Sequence, residues 1–145
     1  MRRRSATDAL NCGELSKLLM REIKFRAWDG KKMHKVGGIV FDGERIVEID
    51  SESGDEFTEG MIAWNVMQYT GLKDKNGREI YEGDIDLCTG ADGTKWVGEI
   101  KWNDESANFE LINPTLGFQR AFGKSGDAHE VIGNIYENDP ELLKT

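Results

Sequence analysis

A chain of 145 residues, 38% of them apolar, can bury a core without metal or disulfide staples and suits one compact domain or two very small ones. Its two cysteines, Cys12 and Cys88, could pair only once and lie in no Cys/His cluster, which excludes a secreted disulfide scaffold and fits reduced thiols in a cytoplasm. The formal charge of -8 is uneven: Arg2, Arg3, Arg4 and Lys17 against Asp8 and Glu14 give residues 1–19 a charge of +2 and leave -10 for the rest, which disfavours non-specific nucleic-acid binding, and no apolar run approaches the length that crosses a bilayer.

Met1–Ser5 looks like the charged start of a signal peptide, but no apolar stretch follows it, so export is not expected. Asn11 and Glu14 have the spacing of a capping box, and Leu15, Leu18 and Leu19 then share a face. Residues 1–19 therefore read as an N-terminal extension with a short helical piece.

From Met20 the period becomes two. Ile23, Phe25 and Ala27 alternate with Glu22, Lys24 and Arg26, as on a half-buried strand. Asp29-Gly30 then marks a tight turn, because its centre needs positive φ. The signal recurs at Asp42-Gly43, Asn76-Gly77 and Asp92-Gly93, each time between strand-like runs. Hairpins at this frequency predict an antiparallel, mainly β fold. Asp50 to Glu59 is acidic and polar and reads as a loop. Glu105 to Ala107 reads as a further turn, and Asn113-Pro114 breaks the chain before a connection over 117–128 that holds Phe118 and Phe122. Val131 to Tyr136 is a last strand, and Asp139-Pro140 could open a one-turn helix.

The usual catalytic constellations fail. His129-Glu130 begins like a zinc-protease helix, but Gly133 stands where the second His must be. Asp74 to Gly77 begins like a calcium loop, but Arg78 takes a ligand position and Ile85 replaces the closing Glu. Gly90 to Gly93 lacks the Lys-Ser/Thr pair of a phosphate-binding loop. Asp84 and Asp86 are two apart, so both carboxylates leave one face of a strand and could hold a cation; no third ligand is visible, and a structural pair is the preferred reading. No cofactor is expected. Trp96 and Trp102 fall on one face of a strand with Ile100 between them. Such an aromatic face can stack bases or grip a peptide, and more commonly forms core. Lys95 and Lys101 do not make a basic groove.

The stretch from Gln68 to Ile85, QYTGLKDKNGREIYEGDI, resembles the signature of the YopX family of phage and prophage proteins. Met20 to Asp29 resembles that family's opening, and His129 to Asn138 its close. The resemblance covers residues 20 to about 143, with residues 1–19 outside it, which favours Met20 over Met1 as the family's start. Asp86 departs from it, since an apolar residue is more usual after Gly-Asp-Ile. The resemblance implies a phage or prophage origin and a bacterial cytoplasm, and transfers no catalytic residue. Within the motif, Tyr69 and Leu72 read as apolar anchors, Gly71 and Gly83 as turn points, Asp74 as part of a tight turn, Tyr81 as the lead into the next strand, and Asp84 as an acceptor of backbone N–H groups. A structural corner is favoured over an interaction motif.

The expected fold is mainly β: a short N-terminal helical extension (1–19), a hairpin-rich N-terminal part (20–67) and a partly open SH3-like barrel (68–145). The expected function is a non-enzymatic accessory protein that binds a host or phage protein. A nucleic-acid-binding barrel using Trp96 and Trp102 is the alternative, and an enzyme site built from Asp84, Asp86 and His129 ranks last. Exposed strand edges also leave a homo-oligomer open.

Overall fold

The computed structural model describes residues 21–54, 56–58, 65–138, 141 and 143. The predicted N-terminal helical piece lies outside them, as do Cys12 and Trp64, and so does most of the predicted C-terminal turn of helix. The described chain is mainly β. Its strands are β1 (Phe25–Trp28), β2 (Met33–Asp42), β3 (Arg45–Ser51), β4 (Glu56–Thr58), β5 (Asn65–Lys73), β6 (Glu79–Tyr81), β7 (Asp84–Thr89), β8 (Lys95–Asn103), β9 (Asn108–Asn113), β10 (Phe118–Ala121) and β11 (Ala128–Asn134).

They form two antiparallel sheets, ordered β4-β3-β2-β1-β5-β6 and β10-β9-β8-β7-β11. Neither sheet closes on itself, so the second is an open barrel wall. Each predicted hairpin signal turns the chain where it should. Gly30, Gly43, Gly77 and Gly93 all have positive φ. At the first turn, Asp29 Oδ1 accepts the N–H groups of Lys31 and Lys32, which shapes the loop independently of distant contacts. β5 crosses position 67/68. It pairs with β1 from Phe25↔Gln68 to Trp28↔Asn65 and with β6 at Tyr69↔Tyr81.

Two stretches differ from expectation. Asp50 to Glu59 is a shorter loop than its composition implies, because β3 extends to Ser51 and Glu56–Thr58 pairs back onto it. Residues 117–128 include β10, which pairs with β9 from Phe118↔Asn113 to Ala121↔Glu110. Asn113 Oδ1 accepts Leu116 N–H and Gly117 N–H bonds Asn113 C=O, so a tight turn sets that register where no alternation announces it.

The chain passes between the sheets at Tyr81–Asp84. Gly83 has a φ of 82°, its N–H reaches Ile100 C=O, and its own C=O receives Ile135 N–H. The main apolar core lies on the inner face of the second sheet: Ile80, Cys88, Ile100, Leu111 and Val131, with Trp96, Phe109, Phe118 and Phe122 packed around them. Ile80 is fully buried there although its strand belongs to the first sheet, so the corner also ties the two together by packing.

Gly98 sits opposite Asp86 in the β7–β8 ladder. A Cβ added there would lie 2.9 Å from both Ile112 C=O oxygen and Leu111 Cγ. Backbone cannot give way as a side-chain tip can, so Gly98→Ala should lower stability by about 1–3 kcal/mol. A urea unfolding midpoint equal to that of the unaltered chain would contradict this reading.

Candidate functional site

The motif residues assemble at the corner between the sheets. Tyr69 and Tyr81 are 5% and 8% exposed, and their rings meet at 5.5 Å between centroids. The Lys24 ammonium lies 5.5 Å over Tyr69 and the Arg26 guanidinium 4.8 Å over Tyr81. Leu72 differs from its expected anchoring role: it is 42% exposed. The β5–β6 register shifts between Tyr69 and Lys73, around Gly71 at a φ of 92°, and this bulge leaves Leu72 outside the core.

Asp74 and Asp84 are the polar pins of the corner. Asp74 Oδ1 accepts Asn76 N–H and Arg78 N–H at 2.9 Å each, and its Oδ2 accepts Val131 N–H at 3.0 Å. It thus closes its own turn and holds the turn against β11. Burial raises its pKa, but the three N–H donors outweigh burial and the net shift is downward. Asp84 is fully buried. Its Oδ1 accepts Arg26 Nη2–H at 2.7 Å and its Oδ2 accepts Tyr81 N–H at 2.8 Å. Burial pushes its pKa up, against the pull of the Arg26 charge and the Tyr81 N–H.

β7 carries a second buried acid. Asp84, Asp86 and Cys88 alternate along one face, and all three are at most 1% exposed. Asp86 is not with Arg26. Its Oδ2 lies 2.7 Å from His129 Nδ1 and its Oδ1 accepts Glu130 N–H. Burial raises its pKa, while the His129 hydrogen bond and charge lower it. Cys88 stands directly opposite His129 in the β7–β11 ladder. One donor atom from each of Asp86, Cys88 and His129 lies within 4.8 Å of the others. Beside them Asp127 Oδ2 is 3.6 Å from Cys88 Sγ and accepts Arg120 Nη2–H at 2.9 Å. The Cys88 thiol is pushed up to about 12, first by burial and then by the Asp127 charge. At neutral pH it is a thiol and a poor nucleophile.

Of the three residues of the lowest-ranked enzyme reading, the structure therefore joins Asp86 to His129 and places Asp84 in a different pair. Sequence reasoning missed Cys88 as their neighbour. The signal was available only as register: Cys88 must face His129 once β7 and β11 pair.

The two tryptophans of the proposed aromatic face lie at opposite ends of that inner face. Trp96 is half-buried under the Arg120 guanidinium, 3.8 Å from its ring centroid. Trp102 is 44% exposed and meets Phe109 edge-on at 5.0 Å. Elsewhere, Ile23, Lys24, Phe25, Val36, Gly37, Gly38, Ile39, Phe41 and Glu52 line an open groove of about 380 Å³ on the first sheet. Ile23 and Phe41 are each 59% exposed at this groove.

A family model described as YopX protein matches residues 24–144. Among solved structures, protein EF1440 from Enterococcus faecalis is 32% identical, with a TM-score of 0.64 over 86% of this chain and 99% of that one. Protein yopX from Bacillus subtilis is 24% identical, with a TM-score of 0.50 over 85% and 98% respectively, a likeness of fold. No curated protein matches the chain.

The Asp74 geometry makes a pH-dependent prediction. A side-chain amide can satisfy the paired donors of Asn76 and Arg78 or the single donor of Val131, but not both. Asp74→Asn should cost about 1–3 kcal/mol at pH 7. A carboxyl with a lowered folded pKa stabilises above its unfolded value, about 3.9, and loses that contribution as pH falls through the folded value. The gap between the unaltered chain and the variant should therefore narrow below about pH 4. Thermal melts across that range check this; a gap that stays constant would show that the charge of Asp74 is not what matters.

Proposed function

The chain belongs to the YopX family, and from that premise we propose that it is a non-enzymatic accessory protein of a phage or prophage, acting in the bacterial cytoplasm by binding another protein. The observation that carries this reading is the groove on the first sheet. Large apolar side chains stand open to water there, where a folded chain gains nothing by placing them. Ile23, Phe25, Ile39 and Phe41 would take apolar side chains of a partner, and a chain of net charge -8 favours basic residues flanking them. The bacterial sources of both solved relatives agree with a bacterial host.

The absence of catalysis is part of the proposal. Asp84 is neutralised by Arg26, and the Cys88 thiol is held protonated at neutral pH. A nucleic-acid partner is the weaker reading, because Arg120 lies over the Trp96 ring on which a base would stack.

Affinity capture from phage-bearing host cells, in the presence of nuclease, tests the proposal. One stoichiometric protein partner should be recovered. Phe41→Asp should weaken its binding by about 2 kcal/mol, roughly thirty-fold, while changing fold stability by no more than about 0.5 kcal/mol. Recovery that disappears with nuclease, recovery of nothing but the chain itself, or a partner held equally well by Phe41→Asp would each overturn the reading.

A further inference from the structure

We propose that Asp86, Cys88 and His129 form a binding site for one divalent transition metal ion, with zinc the best match to the donors. The three are brought together by the fold. Asp86 and Cys88 leave the same face of β7, and β11 sets His129 directly opposite Cys88. Their donor atoms lie within 4.8 Å of one another. On a tetrahedral zinc, donors at bond lengths of about 2.0–2.3 Å stand roughly 3.3–3.6 Å apart, so small side-chain rotations close the site. Thiolate, imidazole and carboxylate are the donor types that zinc takes, and three protein ligands leave a fourth position for water.

At this site the ion takes the place of the 2.7 Å hydrogen bond between His129 Nδ1 and Asp86 Oδ2, so His129 ligates through Nδ1. The three donors are enclosed by the protein: Asp86 is 0%, Cys88 1% and His129 8% exposed.

Charge supports a dication. Metal binding replaces the Cys88 proton, which leaves to solvent, so a Cys88–S–metal bond forms as the S–H bond breaks with no change of oxidation state. The Asp86 carboxylate and Cys88 thiolate then supply two negative charges against the ion's two positive ones. Arg120 and Asp127 neutralise each other beside the sulfur.

The test uses Co²⁺ as the probe on the full-length chain, prepared metal-free. One Co²⁺ per chain should bind, with a thiolate-to-cobalt charge-transfer band and the visible bands of a tetrahedral ion, both bleached by Zn²⁺. The chain has two cysteines, Cys12 and Cys88. Cys12→Ser should keep the thiolate band and Cys88→Ser should lose it. His129→Gln should weaken Co²⁺ binding by more than about 100-fold, beyond the loss typical of an outer-shell partner. Circular dichroism checks that each variant folds. If Cys88→Ser does not fold, the band in Cys12→Ser decides alone, since only Cys88 is then present. A chain that shows no thiolate band, or a band lost in Cys12→Ser, overturns the proposal.

Discussion

The ion pair of Arg26 and Asp84 sits where the two sheets meet, and most of the corner is arranged around it. Asp84 is fully buried, so its charge must be met inside the protein. Arg26 reaches it from β1 in the first sheet at 2.7 Å and also gives Nη2–H to Glu82 C=O at 3.2 Å. The guanidinium plane rests on Tyr81, which a lysine could not do as well. Replacing such a pair with matched apolar residues can cost little, but deleting one partner strands the other charge and typically costs about 3–5 kcal/mol. The pair is better understood as fixing which strands meet than as a net source of stability. An extended β1 with the wrong register would leave Asp84 alone.

Asp86 shows how the same strand uses one alternation for two ends. Both acids leave the same face of β7, yet one meets a guanidinium from the opposite sheet and the other an imidazole from the neighbouring strand. Asp84 belongs to the seam. Asp86 lies further along, among Cys88, His129 and the Arg120–Asp127 pair, under Phe122, whose ring centroid is 4.6 Å from that of His129. The buried Asp86 is met here by a specific partner, His129.

What the sequence made legible was local. Turns at Gly30, Gly43, Gly77 and Gly93 need positive φ, and short Asp-Gly or Asn-Gly signals reveal that need without reference to the rest of the chain. The mainly β class followed from those turns and from period-two runs. Pairings across long separations were not legible. Arg26 and Asp84 are 58 positions apart, and Asp86 and His129 are 43 apart. Their meeting depends on strand order, which no local pattern encodes. Leu72 and Phe118 show a smaller version of the same limit. A register shift in the β5–β6 pairing leaves Leu72 outside the core, and a turn built by the Asn113 side chain makes β10 out of a stretch without alternation.

The fold also separates what holds it together from what it presents. Along β1, Phe25 lines the open groove, whereas the next residue, Arg26, turns inward to Asp84. Period two therefore turns these two adjacent residues to opposite faces of the strand. The groove can change its side chains without disturbing the ion pair behind it. A corner pinned by Asp74 and Asp84 sets no requirement on the side chains of the opposite face. That separation leaves the corner motif silent about what the opposite face presents.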